Sequence, residues 1–301
     1  MLAGIRSALR LLARVAKQTA DVSSEALYTL YLFSESNIIG VLLPSLAMAY
    51  ALVGVSDVGA FLEGFVWLEL HLLAFEIMNQ VTGIEEDKLE KPHRPIPSGR
   101  ISPSSARALY ACVVAAALVM SARHGITWVT VVFVVAITVY NEGGLARFWY
   151  FKSGLASLGY ACFISGPAVC FSQDRPLPPQ AITSLTQLGL IFFTTGHAQD
   201  FRDREGDALI GRRTLALILP QSFARWTLSA SILAWATAIC YYWAPPALFC
   251  VVVYTLAGAA AVSFVTDHSQ EADQRSYDLY NLWLVSCNML PLFVRWRAPG
   301  V

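Results

Sequence analysis

Charge is scarce in this sequence. Of its 301 residues only 14% are charged, 21 basic against 21 acidic, where an ordinary soluble domain carries about 25%. So few charges cannot give a chain of this size a water-soluble surface, which excludes an ordinary cytosolic enzyme. The lack of a basic excess excludes a nucleic-acid binder. A hydrophobic content of 56% excludes a disordered protein. Cysteines cluster nowhere. Cys112, Cys162, Cys170, Cys240, Cys250 and Cys287 lie singly in apolar stretches with no C-x-x-C pair, so neither a disulfide frame nor a thiolate metal centre is expected. Also missing are a Walker-type phosphate loop and the glycine fingerprint of a dinucleotide fold.

What the sequence does have is apolar residues in long runs, with a mean hydropathy of +0.52. A lipid core about 30 Å thick needs about 20 apolar residues per helix, and only helices or closed barrels can cross it. The runs are too continuous for alternating barrel strands. An all-α integral membrane bundle of about nine transmembrane helices is expected, near 27–53, 58–82, 104–122, 125–141, 153–172, 181–199, 222–243, 246–266 and 276–294. Residues 27–301 read as one helical domain, so the lipid bilayer is an expected partner. Residues 1–26 read as an amphipathic interfacial segment, because Leu2, Ile5, Leu9, Leu12 and Val15 recur at helical spacing between Arg6, Arg10, Arg14 and Lys17. The same acid-free stretch also fits an organelle transit peptide. With the N-terminus inside, nine spans place 17 of the 21 basic residues on the inner face, as cytoplasmic loops require.

The remaining charge gathers in two inner segments, 79–107 and 200–213. Asp200, Asp203 and Asp207 fall at i, i+3 and i+7, and share one face if the sixth span runs on past the interface. Three like charges together raise one another's pKa, a penalty that a divalent cation removes; carboxylates with water suit Mg²⁺. Asn79, Gly83, Glu86 and Asp87 trace a second stripe of the same kind. Lys91, Arg94, Arg100, Arg202, Arg204, Arg212 and Arg213 stand nearby, suited to phosphate. Two acidic stripes, a cationic rim and an apolar bundle point to a substrate with a diphosphate head and a long apolar tail.

The stretch from Asn79 to Ser98, NQVTGIEEDKLEKPHRPIPS, followed by Gly99 and Arg100, resembles the first signature of the UbiA superfamily of membrane prenyltransferases. The stretch from Asp200 to Thr214, DFRDREGDALIGRRT, resembles its second. The resemblance implies that Asn79, Glu86, Asp87, Asp200, Asp203 and Asp207 hold Mg²⁺ and diphosphate. It implies that Arg94 contacts the prenyl diphosphate, with Lys91, Lys152 and Arg202 beside it. Tyr140 matches a tyrosine of the family near the diphosphate, so Asp87, Asp203 and Tyr140 are the expected catalytic residues. The pattern departs at Gly83, where the family has an acid; the neighbouring Glu86 is placed to compensate. The variant motif, with Tyr140 to Gly144 and Tyr277 to Trp283, is similar to a fungal branch that includes membrane-bound sesquiterpene cyclases.

Three activities follow as expectations. One is a cyclase that ionises farnesyl diphosphate and folds the cation on itself; the second is a prenyltransferase acting on a separate acceptor. The third, a transporter, fits poorly, because the charges cluster at one interface instead of the midplane. A carbocation needs dry aromatic walls, for which Trp67, Phe75, Tyr140, Tyr160, Phe163, Phe192 and Trp283 are candidates. Glu76, Asn141 and His197 are candidate cavity residues. Glu69 is expected in a helix–helix hydrogen bond and His71 in a structural role, while Asp57, Asp174 and the 267–273 acids read as solvated loops. The endoplasmic reticulum with the site toward the cytosol is the expected location, a mitochondrial membrane the alternative. No protein partner is implied.

Overall fold

The computed structural model describes residues 23–297, together with Lys17 and Asp21. The amphipathic segment expected over 1–26 therefore lies mostly outside the described residues. Among the described residues the chain is helical, with only an isolated bridge between Phe148 and Arg213 in place of any sheet.

Helices stand at all nine expected positions: α1 (Ser23–Val53), α2 (Val58–Thr82), α4 (Pro103–Arg123), α5 (Thr127–Asn141), α6 (Trp149–Phe171), α7 (Pro179–Thr195), α11 (Gln221–Trp243), α12 (Ala247–Thr266) and α13 (Gln270–Asn288). Between them lie the short helices α3 (Ile84–Glu90), α8 (Ala198–Arg202), α9 (Arg204–Leu209) and α10 (Leu215–Ile218), and α14 (Pro291–Arg297) follows α13. Six of the described helices, α1, α2, α4, α6, α11 and α12, are long and apolar enough to cross a bilayer. By length and composition the count of nine is not confirmed, because α5, α7 and α13 fall outside the six, α7 with 17 residues. The 15 residues of α5 reach only about 22 Å, and α13 is too polar, carrying Asp273, Arg275 and Asp278.

Outward faces are apolar and exposed, as in Trp128, Ile182, Tyr241 and Leu248, which lipid would cover. An unpaired polar group costs several kcal/mol in a medium without water, and two polar side chains of α2 show how the interior meets that cost. His71 bonds through Nδ1 to the Trp67 carbonyl at 2.7 Å and through Nε2 to the Thr130 hydroxyl at 2.9 Å, with its ring stacked on Trp67. Ser34 donates to Glu69 at 2.6 Å, a bond between α1 and α2. Both residues thus have the structural roles expected of them.

The acids of 267–273 are a correction. Asp267 is exposed, but Asp273 is fully buried in α13 and takes both η nitrogens of the equally buried Arg225 of α11, at 2.6 and 2.8 Å. Arg225 also donates to the Phe264 carbonyl and lies 4.4 Å from the Phe201 ring centroid. In sequence Asp273 looks like a loop residue because Glu271, Gln274 and Arg275 around it are polar; the helix turns it inward. Asp57 likewise does more than face water, since its side chain caps α2 by accepting from the Ala60 amide.

Candidate active site

Two polar segments meet at one end of the bundle. The first is the end of α2 with α3. The Gly83 amide donates to the Asn79 carbonyl and the Asp87 amide to the Gly83 carbonyl, so helical pitch survives the break at Gly83. The second was expected as one extension of the sixth span. The chain instead breaks at Gly196–His197 and again at Asp203, giving α8 and α9. The Asp203 amide still bonds the Gln199 carbonyl and the Asp207 amide the Asp203 carbonyl, at 3.3 and 2.9 Å. The breaks nonetheless divide the stripe: Asp200 and Asp207 turn together toward α6, and Asp203 turns toward α3.

The segments approach closely at Gly206. A Cβ there would run into the Glu90 carboxylate. Gly211, with φ at +68°, then reverses the chain in the left-handed region that glycine occupies at least cost. That turn returns Arg212 to the cleft.

Each carboxylate meets a cation. Lys152 of α6 donates to Asp200 at 2.5 Å and lies 3.5 Å from Asp207. Arg94 donates to both oxygens of Asp87 at 3.1 Å and stands 3.8 Å from Glu76. Arg202 and Lys91 lie 3.3 and 3.9 Å from Asp203. Arg212 bridges the segments, donating to Asp207 at 2.7 Å and to Glu86 at 3.1 Å. Burial pushes the Asp200 carboxyl up to about 6, against the pull of Lys152. Burial opposes ionisation of Asp203 too, but Arg202, Lys91, Lys152 and Arg212 outweigh it and hold that carboxyl below its ordinary value.

Among the described residues no three acids converge on one point in this arrangement. The donor set still fits a divalent cation bound with phosphate. It is oxygen only, one buried Asp207 oxygen has no hydrogen-bond partner, and five cations already occupy the acids. A diphosphate that recruits those cations leaves the acids needing new positive charge, which Mg²⁺ with oxygen ligands supplies.

Asn79, Glu86, Tyr140, Asn141 and Arg212 line a cleft of ≈ 1030 Å³ with its mouth included. A Cβ on Gly83 would stand 3.7 Å from a Glu86 oxygen, so the Glu86 carboxylate lies beside the position that lacks its acid. Tyr140 also lines a second cavity, of ≈ 650 Å³ with its mouth, that runs into the bundle. Its walls are Phe75, Phe133, Ile137, Tyr160, Phe163, Phe192 and Tyr277 among others. Of the aromatic residues expected to form this wall, Trp67 and Trp283 do not; both are buried in helix packing.

Glu76 is fully buried, accepting from Asn37 and facing Arg94. His197 is buried beside Phe201, its side chain making no cap to α8 and its Nδ1 unpartnered. Sequence reasoning missed Asn37, Gln199 and the bridging place of Arg212. The polar run Ser34-Glu35-Ser36-Asn37 inside the first span was the available signal for Asn37. It sits where α1 loosens through a 3₁₀ turn (Glu35–Asn37) and a π turn (Ile38–Leu42), irregularities that are frequent at functional sites.

A sequence profile described as the UbiA prenyltransferase family matches residues 41–285. The chain is 39% identical over 272 residues to the fumagillin β-trans-bergamotene synthase of Aspergillus fumigatus, covering 90% of this chain and 94% of that one. It is 27% identical to the somaliensene A/B synthase of Streptomyces somaliensis, covering 74% and 76%. The fold is similar to that of a UbiA homologue from Archaeoglobus fulgidus bound to GPP and Mg²⁺, with a TM-score of 0.63 at 12% identity over 88% of this chain and 99% of that one. The chain is an integral membrane protein that belongs to the UbiA prenyltransferase family.

Proposed function

We propose that this protein is a Mg²⁺-dependent membrane terpene cyclase that ionises farnesyl diphosphate, releases diphosphate and closes the farnesyl cation to a sesquiterpene. The observation that carries the reading is the place of Tyr140: it lines both a cleft bearing Glu86 and Arg212 and a neighbouring cavity walled by aromatic rings. The likeness to a bergamotene synthase supports a cyclase within the family.

In this reading Asn79, Glu86, Asp87, Asp200, Asp203 and Asp207 hold the metal–diphosphate complex. Lys91, Arg94, Lys152 and Arg202 pair with phosphate oxygens. Bound Mg²⁺ would supply Lewis-acid neutralisation of the charge developing on the leaving diphosphate. The C1–O bond breaks with its electron pair on the diphosphate, where fixed guanidinium and ammonium groups stabilise it without reorganising. The allylic cation is left among Phe75, Tyr160, Phe163 and Phe192, whose faces each stabilise a desolvated cation by about 2 kcal/mol. After ring closure the cation loses a proton to the released diphosphate, which leaves a neutral hydrocarbon. Asp87 and Asp203 act at the head group and Tyr140 at the boundary between head and tail. Glu76 keeps Arg94 oriented from below, and Asn141 and His197 belong to the surrounding shell.

A second reading is transfer to a separate acceptor, which the width of the cleft around Asn141, Gly144 and Arg147 favours. The Lys/Arg asymmetry supports an endoplasmic reticulum protein with its cleft toward the cytosol. Incubation with Mg²⁺ and farnesyl diphosphate alone tests the activity: release of a cyclic hydrocarbon with inorganic diphosphate supports the cyclase, and product only on adding an acceptor supports transfer.

A further inference from the structure

The cavity below Tyr140 is bounded along one side by α6. From Lys152 at the acidic end, Leu155, Ala156, Gly159, Tyr160 and Phe163 follow at i+3, i+4, i+7, i+8 and i+11, a single helical face, and all five line the cavity. Across from them stands Phe133 of α5, whose ring lies 5.0 Å from that of Phe163. The two rings form the floor. Beneath Phe133 is the rigid His71–Thr130–Ser121–Trp67 network, with every link a hydrogen bond of 2.5–2.9 Å. The floor therefore has little freedom to give way.

Gly159 is the one lining position without a side chain. A Cβ built on it would meet a Phe133 ring carbon at 4.0 Å, an ordinary van der Waals contact, so a methyl group fits there and a longer side chain would take up cavity space. At about 1.5 Å per residue, Gly159 lies about 10 Å below Lys152 and Phe163 about 16 Å below it. Fully extended, before it folds for closure, a carbon chain advances about 1.2 Å per bond, so two isoprene units reach at most about 10 Å from the diphosphate oxygen and three about 14 Å.

We propose that Gly159 determines the prenyl chain length this protein accepts, its missing side chain being the space taken by the third isoprene unit. The inference rests on the reading that the cavity holds the tail of a prenyl diphosphate. Lengthening the side chain at 159 raises the floor to the level of the second unit, so a ten-carbon tail still fits and a fifteen-carbon tail does not.

The test is kcat/KM for geranyl, farnesyl and geranylgeranyl diphosphate in the intact protein and in Gly159→Ala and Gly159→Leu. Gly154→Leu is the control on the same helix, facing Phe193 outside the cavity. One extra methylene in an apolar pocket shifts specificity roughly 10–200-fold. The farnesyl-to-geranyl ratio is expected to fall about tenfold or more in Gly159→Leu, to fall less in Gly159→Ala, and to stay unchanged in Gly154→Leu. Should Gly159→Leu fail to fold, the Ala variant decides by the same ratio. A ratio within twofold of the unmodified protein in the active Gly159 variants overturns the proposal while leaving the enzyme reading intact. Failure of the unmodified protein to bind or turn over any of the three substrates refutes that reading, and the proposal with it.

Discussion

Removing one member of the Arg225–Asp273 pair should be the most damaging conservative change outside the catalytic cleft. Both side chains are fully buried, and the guanidinium makes two charge-assisted bonds to the carboxylate and a third to a backbone carbonyl. Asp273→Asn keeps the shape and one accepting oxygen but removes the negative charge and the second acceptor that Arg225 meets. Breaking a buried pair this way costs about 3–5 kcal/mol, because the surviving charge is stranded. At roughly 2–4 °C per kcal/mol, the apparent Tm in detergent should fall on the order of 10 °C. Arg225→Met combined with Asp273→Leu removes both charges and should recover most of the loss. Tryptophan fluorescence on heating reads all three proteins. If the single variant melts within about 2 °C of the parent, or the double variant melts lower than the single, the buried-pair reasoning is wrong.

Asp87→Asn and Asp203→Asn should each cut turnover about 100-fold or more while the protein still inserts and runs as a single species on gel filtration; near-normal rates in both would contradict the assignment of the acidic cluster. Chelation of divalent cations should abolish product formation, and added Mg²⁺ should restore it, as measured by diphosphate release. Gly166→Ala should destabilise by about 1–3 kcal/mol, because its Cβ would enter the Trp67 ring; a thermal melt next to that of Gly159→Ala, which should be neutral, separates a tight helix contact from an ordinary one. Arg212→Gln should loosen the two acidic segments from each other and raise KM for the prenyl diphosphate more than it lowers kcat.

The acid-rich segments are legible in the sequence because charge is so rare elsewhere that Asp87, Asp200, Asp203 and Asp207 stand out. Lys152 and Tyr140 lie outside both signature stretches, yet Lys152 stands between Asp200 and Asp207 and Tyr140 lines both cleft and cavity. What periodicity could not convey is where a helix interrupts itself. The breaks at Gly196 and Asp203 turn Asp203 away from Asp200 and Asp207, and they accompany tertiary contacts such as Gly206 against Glu90. Length and hydropathy single out only six of the nine expected helices for a related reason. The helices α5 and α13 are stabilised by their neighbours in the bundle, so their own length and hydropathy need not suffice. Asp273 was misread because its partner, Arg225, lies 48 residues away. Pairing across such a distance leaves no local pattern.

The central claim is that the acidic cleft and the aromatic cavity form one chamber that ionises a prenyl diphosphate and closes the cation without a second substrate. Purified protein in lipid, given only Mg²⁺ and farnesyl diphosphate, tests it most directly by gas chromatography of the volatile products alongside a diphosphate assay. The account predicts a fifteen-carbon cyclic hydrocarbon in step with the diphosphate released. Recovery of intact farnesyl diphosphate until an acceptor is added would contradict it.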